Sequence, residues 1–344
     1  MPLHLVVPGL LLTAERLRES ARELNLPGLA TLLGRGERRP IAARSLTDWI
    51  AAAFGLPAGE APWGALRLLG DGGDPGGDCW LCADPAHLRF ARDMLVIVGE
   101  REIGLDAQES ARLVGMLDRE LAAAGRFSAT APARWYLRAA AAPDIRTQPI
   151  ERVMGRPLDA YLPEGPDAKA WCALLNEAQV LLHNDPVNVE REAAGRPTAN
   201  TVWLWGAGRL PAGLARPGAT LLADDPLARG AALAAKMSAG ALPAGPGPIV
   251  GPARADSVIA VLDALREPAL YLDIAAWRAA LTDLESRWFR PAMSALYSGH
   301  LGGLRLTALG DDAAFELELD AGDRWRFWRR PVELAELELP AAQP

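Results

Sequence analysis

Between His183 and Gly208 the chain reads HNDPVNVEREAAGRPTANTVWLWGAG. His183, Asn184, Asp185, Asn188, Arg191 and Asn200 place imidazole, amide, carboxylate and guanidinium groups in one short stretch, and Gly206 and Gly208 close it. That mixture suits a small anion. Guanidinium forks pair with carboxylate or phosphate oxygens, an amide both donates and accepts, and a helix N-terminus offers unpaired N–H groups. Asn188 is the first candidate for a binding role. The same residues also fit a plainer reading, a capped surface helix with solvated charges.

The elements that would hold these groups are legible nearby. Asp185-Pro186 reads as a helix start, because Asp caps free backbone N–H groups and Pro fits the first helical position. Gly195 reads as the left-handed residue that ends the helix, and Pro197 prevents its resumption. Thr201 to Trp205 is β-branched and aromatic and reads as a buried strand. Gly206-Ala207-Gly208 would then lie where the chain leaves a sheet, the end at which open α/β sheets bind ligands.

Along the chain, strands are expected at Leu3–Val7, Met94–Val98, Arg134–Ala139, Ile150–Met154, Thr220–Ala223, Ile249-Val250, Ala269–Ile274, Leu304–Ala308, Ala314–Leu319 and Arg324–Trp328. Helices are expected at Glu15–Glu23, Ser45–Phe54, Asp106–Ala124, Asp167–Leu182, Pro226–Ala239, Ala255–Leu265 and Ala275–Tyr297. Such alternation predicts an α/β fold with a mainly parallel sheet. The Gly/Asp-rich run Gly70–Asp78 reads as a linker and a domain boundary.

Composition narrows the function classes. The 344 residues carry a formal net charge of −7, which disfavours nucleic-acid binding. The basic residues are arginine apart from Lys169 and Lys236, a bias that genome composition can produce. No apolar run reaches the roughly 18–20 residues of a membrane span, and no leader pattern is visible. A cytoplasmic chain without membrane association is expected. Cys79 and Cys82 form a C-x-x-C with no second pair or suitably spaced histidines, so ordinary thiols and no metal cofactor are expected. The block Asp323 to Arg330 alternates arginine with Trp and Phe, the pattern of an edge strand or of a homo-oligomer contact.

His183, Pro186-Val187-Asn188, Arg191, Gly195, Pro197, Ala199-Asn200 and Gly206-Ala207-Gly208 together resemble a signature of the archaeal-type cofactor-independent phosphoglycerate mutases, members of the alkaline phosphatase superfamily. Weaker echoes are Leu5 to Gly9, Leu26-Pro27-Gly28-Leu29, Leu227 to Ala239, and Ser45 to Pro57, where Ser45 stands at the nucleophile-like position. The whole chain is similar to a bacterial family of RpfE-type regulatory or phosphoglycerate-mutase-like proteins, through Asp84-Pro85, His87-Leu88-Arg89, Trp203-Leu204-Trp205-Gly206 and Trp325 to Arg330. The resemblance implies a three-layer alkaline-phosphatase-like α/β core, residues 1–74 and 200–344, with a small inserted α+β cap over residues 75–199.

It also implies a reaction with two divalent metals held by Asp and His and a Ser or Thr that takes the phosphoryl group. This chain departs from that set. Pro8-Gly9 stands where the first strand would end in Asp, and the D-x-x-x-H position falls at Asp273 to Trp277. The late Asp-His position reads Gly310-Asp311-Asp312, and Trp205 replaces the arginine before Gly-Ala-Gly. The only histidines are His4, His87, His183 and His300. The expectation is therefore a catalytically degenerate, regulatory protein that binds a small phosphorylated anion or a protein partner. The alternative is an active enzyme with an unusual metal site built from Asp84, His87, His183, Asp185 and Asp311. A serine hydrolase using Ser45 with a histidine lacks the G-x-S-x-G elbow.

Overall fold

The structure, a computed structural model, describes residues 2–57, 59–91, 94–250, 256–320, 322–323 and 329–339. Its contacts divide the chain into two units, Met1–Gly55 with Ala215–Pro344, and Leu56–Leu214. Twelve strands run in chain order among the described residues: β1 Pro2–Val7, β2 Glu37–Pro40, β3 Trp80–Ala91, β4 Met94–Val98, β5 Gly125–Ala131, β6 Arg134–Ala139, β7 Thr201–Gly208, β8 Thr220–Leu222, β9 Ser238–Gly240, β10 Val258–Val261, β11 Gly303–Ala308 and β12 Phe315–Asp320.

The first unit is built on a seven-stranded sheet of order β2-β12-β11-β1-β10-β8-β9. The strands from β11 to β9 are parallel, and β12 and β2 add an antiparallel edge. Central parallel strands are covered on both faces and so read as unbroken apolar runs. Leu3, Leu5 and Val7 point to one face, into a core with Leu304, Leu306, Trp277, Leu281, Trp288 and Phe289. His4 alternates to the other face, where its ring meets Trp49 of the Leu46–Phe54 helix edge-on, with centroids 5.8 Å apart.

The second unit is an antiparallel sheet. β3 is its spine, pairing with β7, β6 and, toward its end, β4, while β5 pairs with β6. The Ala107–Glu120 and Ala168–Asn184 helices bury Leu113, Leu117, Ala178 and Leu182 against Leu81, Trp135, Leu137, Val202 and Leu204.

Several sequence expectations change. The division falls at residues 55/56 and 214/215 rather than at 74 and 200. The reason is strand pairing: β7 hydrogen-bonds to β3 in the second unit, and Gly64 of the Trp63–Gly70 helix packs on the backbone of Trp80 and Leu81. Gly70–Asp78 is therefore a turn inside that unit, and its Asp71 accepts from Tyr136, Thr130 and Arg134. Ile150–Val153 is a short helix, Ile249 lies in a turn, and Arg266–Leu270 is a helix where a strand was expected to begin. The reverse holds at Val258–Val261, a buried strand that pairs with β1 and β8. The expected strand Arg324–Trp328 lies outside the described residues.

Candidate functional site

The His183–Gly208 stretch folds as its local chemistry dictates. Asp185 caps the Pro186–Ala193 helix by accepting from Val187 N at 2.9 Å, and Gly195 takes a left-handed φ of 67° just beyond the helix. What its polar groups do is set by burial. Asn188 is 2% exposed. Its Nδ2 donates to the carbonyls of Leu182 (2.7 Å) and Ala199 (2.9 Å), and its Oδ1 accepts from Ala199 N at 3.0 Å. Both amide hydrogens and the oxygen are engaged by backbone. Arg191, 1% exposed, donates from Nε to Pro197 O at 2.8 Å, from Nη1 to Glu109 at 2.5 Å and from Nη2 to the Ile103 carbonyl. Arg196 pairs with the same Glu109 at 2.9 Å.

Asn200 extends the sheet with its side chain. It accepts from Leu88 N at 2.6 Å and donates to Leu88 O at 2.9 Å, and beside it His87 Nδ1 lies 2.8 Å from Thr198 O. Gly206 N donates to Thr147 Oγ1 at 3.1 Å, and Gly206 and Gly208 lie flat against Trp63 and Pro62. His183 and Asn184 are exposed, with Asn184 Nδ2 donating back to Val180 O at 2.8 Å. The predicted set thus divides. Asn188, Arg191 and Asn200 hold the segment in shape, and His183 and Asn184 are the predicted residues that remain at its surface.

A buried network in this unit joins residues that are distant in sequence. Arg67 donates from Nη1 to Asp84 Oδ1 (2.6 Å) and from Nη2 to Trp135 O (2.8 Å), and Trp205 Nε1 donates to Asp84 Oδ2 (2.7 Å). The Arg67 guanidinium lies over the rings of Tyr136 and Trp205, 4.8 and 5.7 Å from their centroids. Burial opposes its charge, but Asp84 holds it protonated and raises its pKa. Burial also pushes the Cys82 thiol well up. Both Asp84 oxygens have protein donors, so this member of the alternative metal set is occupied. Asp311, another member, belongs to the other unit.

Ser45 lies in the first unit, at the carboxyl end of the sheet, the end at which open α/β sheets in general bind ligands. β2 is antiparallel to β12, and β12 to β11, so β2 runs with β1 and leaves the sheet at its carboxyl end. Ser45 then caps the Leu46–Phe54 helix. Its Oγ accepts from Asp48 N at 3.1 Å and lies 2.9 Å from Thr47 Oγ1. At the same end, Asp225 starts the Pro226–Ala234 helix and pairs with Arg266 at 2.8 Å. Burial pushes the nearby Asp263 carboxyl up; Arg266 offsets this, and Asp225 and Asp224 add to it.

The centre of that end is closed by protein. Gly9, at φ 77°, lies so near the turn after β10 that a Cβ on it would sit 2.6 Å from Leu265 O. Gly310, after β11, packs on the Leu11 carbonyl. Trp277 has no exposed surface and donates its indole N–H to Gly9 O at 2.8 Å. Asp273 caps the Trp277 helix through Ala276 N at 3.0 Å. His4 is tied to Thr307 Oγ1 at 2.7 Å, and His300 to Ser298 Oγ at 2.7 Å. Among the described residues, no group of three or more His, Cys, Asp or Glu is placed to hold a metal ion. No helix among them is long and apolar enough to cross a membrane.

Comparisons with known proteins agree with this architecture. No protein-family model matches the chain. A stretch of 68 residues is 38% identical to the 2,3-bisphosphoglycerate-independent phosphoglycerate mutase of Methanothrix thermoacetophila, covering 20% of this chain and 17% of that protein. A stretch of 110 residues is 30% identical to 2,3-bisphosphoglycerate-independent phosphoglycerate mutase 2 of Methanothermobacter thermautotrophicus, covering 31% and 27%. Among solved structures, the PH0037 protein from Pyrococcus horikoshii follows this fold over 97% of this chain and 91% of its own, with a TM-score of 0.57 and 16% identity. A cofactor-independent phosphoglycerate mutase from Thermoplasma acidophilum scores 0.45, too low to carry an argument, at 18% identity over 98% and 94%.

The chain is related to the cofactor-independent phosphoglycerate mutases. Its fold is of the expected α/β class, with a mostly parallel sheet in the first unit and an α+β second unit, and it follows that of the PH0037 protein. The sequence matches span under a third of either mutase, so kinship in sequence is partial while the fold likeness runs nearly end to end.

Proposed function

We propose that this mutase-like protein acts by binding, as a regulatory protein, and does not run two-metal phosphoryl transfer. One contact carries the reading. Family resemblance puts metal-ligating Asp and His at Pro8-Gly9 and at Trp277, positions far apart in sequence. Those two positions touch, and the contact is the indole-to-carbonyl hydrogen bond of Trp277 and Gly9. An indole N–H donates only and a backbone carbonyl already holding it is a poor metal ligand, so a plug occupies the place where the chemistry would need cations. Ser45 supports the same reading, because its hydroxyl caps a helix, and the neighbouring Asp48 carboxylate accepts from the backbone N–H groups of Arg44 and Ser45; a serine that is not activated by a base is a weak nucleophile.

The ligand is a small phosphorylated anion or a protein, with His183 and Asn184 as the surface groups of the motif that face it. Metal analysis of protein purified without chelators, a mutase assay with phosphoglycerate and added Mn²⁺, and calorimetry with phosphoglycerates test the proposal together. The expected result is substoichiometric metal, no turnover, and heat of binding that His183→Ala with Asn184→Ala abolishes. Stoichiometric metal with turnover would establish the alternative, an active enzyme. No heat from any phosphoglycerate would remove the small-anion version.

A further inference from the structure

Two arginine-bearing stretches distant in sequence meet at one corner of the first unit. One ends the Pro27–Arg35 helix and enters β2 with Arg35 and Arg38; the other is Arg329-Arg330, which leads into the Leu334–Glu336 turn. Arg329 Nη1 donates to Arg35 O at 3.1 Å, Val332 N to Ala30 O at 3.0 Å, and Arg38 Nη1 reaches Glu338 O at 3.4 Å. Gly34 packs directly on the Arg330 carbonyl. Arg35 is partly buried, donates to Tyr297 OH at 2.5 Å and lies over that ring, while Arg38, Arg329 and Arg330 are exposed. None of the four pairs with a carboxylate among the described residues. Some exposed arginines elsewhere do so, as in Arg89 with Glu102, Arg126 with Asp118 and Arg287 with Asp283.

We infer that this corner is an interaction surface for an acidic segment of a partner protein. Guanidinium groups match carboxylates in a planar, two-bonded geometry. Here they rise from backbone that is already fixed by the contacts above, so less ordering is needed on binding. The chain's net charge of −7 makes the positive corner a local feature and disfavours a long polyanion. Exposed Glu333, Glu336 and Glu338 follow Arg330 in sequence, so the segment that binds would be short and carry few carboxylates. Arg39 is excluded, because it sits on the other face of β2 in register with Glu316. Pairing along the β2 edge is disfavoured by Pro40 and by the charges on that strand. The inference stands apart from the metal question, since an active mutase would carry the surface equally well.

Fluorescence anisotropy of the full chain with labelled hexaglutamate, against hexaglutamine, tests it without using catalysis. Hexaglutamate should bind and hexaglutamine should not, and added salt should weaken the complex. Arg38→Glu with Arg329→Glu should weaken it by about tenfold or more, as loss of charge-assisted contacts does. Arg119→Glu, an exposed arginine of the Ala107–Glu120 helix, should change nothing. The inference is overturned by absence of hexaglutamate binding, by equal loss in the Arg119 variant, or by tighter binding of an oligothymidylate of equal charge. It is also overturned if light scattering finds a dimer that the double variant dissolves, for then the corner joins two copies of this chain.

Discussion

Trp277 donates its indole N–H to the carbonyl of Gly9 at 2.8 Å, joining the first turn of a late helix to the loop that follows the first strand. The Trp277 ring is fully buried and Gly9 partly so, and the bond sits between two further close approaches, Gly9 on Leu265 and Gly310 on Leu11. It therefore ties the carboxyl end of β1 to the turns after both of its neighbours. Trp277→Ala should destabilise the chain by about 3–5 kcal/mol through the cavity it leaves. Trp277→Phe keeps most of the volume but leaves the Gly9 carbonyl unpaired, and should cost about 1–3 kcal/mol. Gly9→Ala should be costly too, because a positive φ and the Leu265 carbonyl both oppose a Cβ. Urea unfolding of the three variants checks the order; a Phe variant as damaging as the Ala variant would show that the hydrogen bond, not the volume, dominates.

Local chemistry was the legible part of the sequence. Caps at Asp106 and Asp185 and the left-handed Gly195 appear where expected, because a cap needs only its own few residues. The α/β class follows from alternation in the same way. β10 is hidden because Val258–Val261 is a short apolar run, and such runs suit a buried strand or a helix equally until a partner strand is known. The unit boundary is hidden for the same reason: β7 reads as a strand, but nothing local assigns it to β3 rather than to the core sheet. In the candidate site, residue types pointed to Asn188 and Arg191, and only burial reveals that their groups bond to backbone and to Glu109. Asp84 did leave a trace, a carboxylate inside the apolar run Trp80 to Ala86, which must find a buried partner.

Asn188 should therefore matter for stability more than for recognition. Asn188→Ala removes two donors and one acceptor from a buried site: Ala199 loses its side-chain partners on both N and O, while the Leu182 carbonyl keeps Asp185 N at 3.3 Å. Each group left unpaired costs about 1–3 kcal/mol. The variant should unfold at lower urea concentration, yet at a temperature where it stays folded it should bind the same anions as the parent in calorimetry. A folded variant with lost binding would return Asn188 to the ligand site.

Glu285 caps a helix to which it does not belong. Its two oxygens accept from Gly28 N at 2.8 Å and Leu29 N at 3.0 Å, because the residue at that helix start, Leu26, has no side chain able to cap. Glu285 is 2% exposed and begins a one-turn π-helical segment, which turns its carboxylate toward the Pro27–Arg35 helix. Glu285→Ala should cost about 1–3 kcal/mol for the buried N–H groups left open. Glu285→Gln keeps only one acceptor oxygen and should fall between parent and Ala. Equal stability of all three chains by urea titration would remove the cap from the account.

His4 should make the core sensitive to acid. Burial pushes its imidazole down from the usual 6.5 to about 3, and Arg305 adds to the shift. The neutral ring is held by Thr307, whose hydroxyl lies 2.9 Å from Glu316 Oε1, while Trp49 packs against its edge. Between about pH 3 and 6.5 the unfolded chain binds a proton at this position that the folded chain refuses. Stability is therefore full above the unfolded value and falls as pH drops through that window. Asp263 acts in the opposite sense, because its raised pKa lets the folded chain take a proton first. The measurement is the midpoint of urea unfolding against pH for the parent and for His4→Asn, which keeps a donor for Thr307 but does not titrate. The difference between the two curves isolates His4 from Asp263 and the other carboxylates. The parent should lose stability faster below pH 6.5, and parallel curves would show that His4 titrates normally in the folded chain.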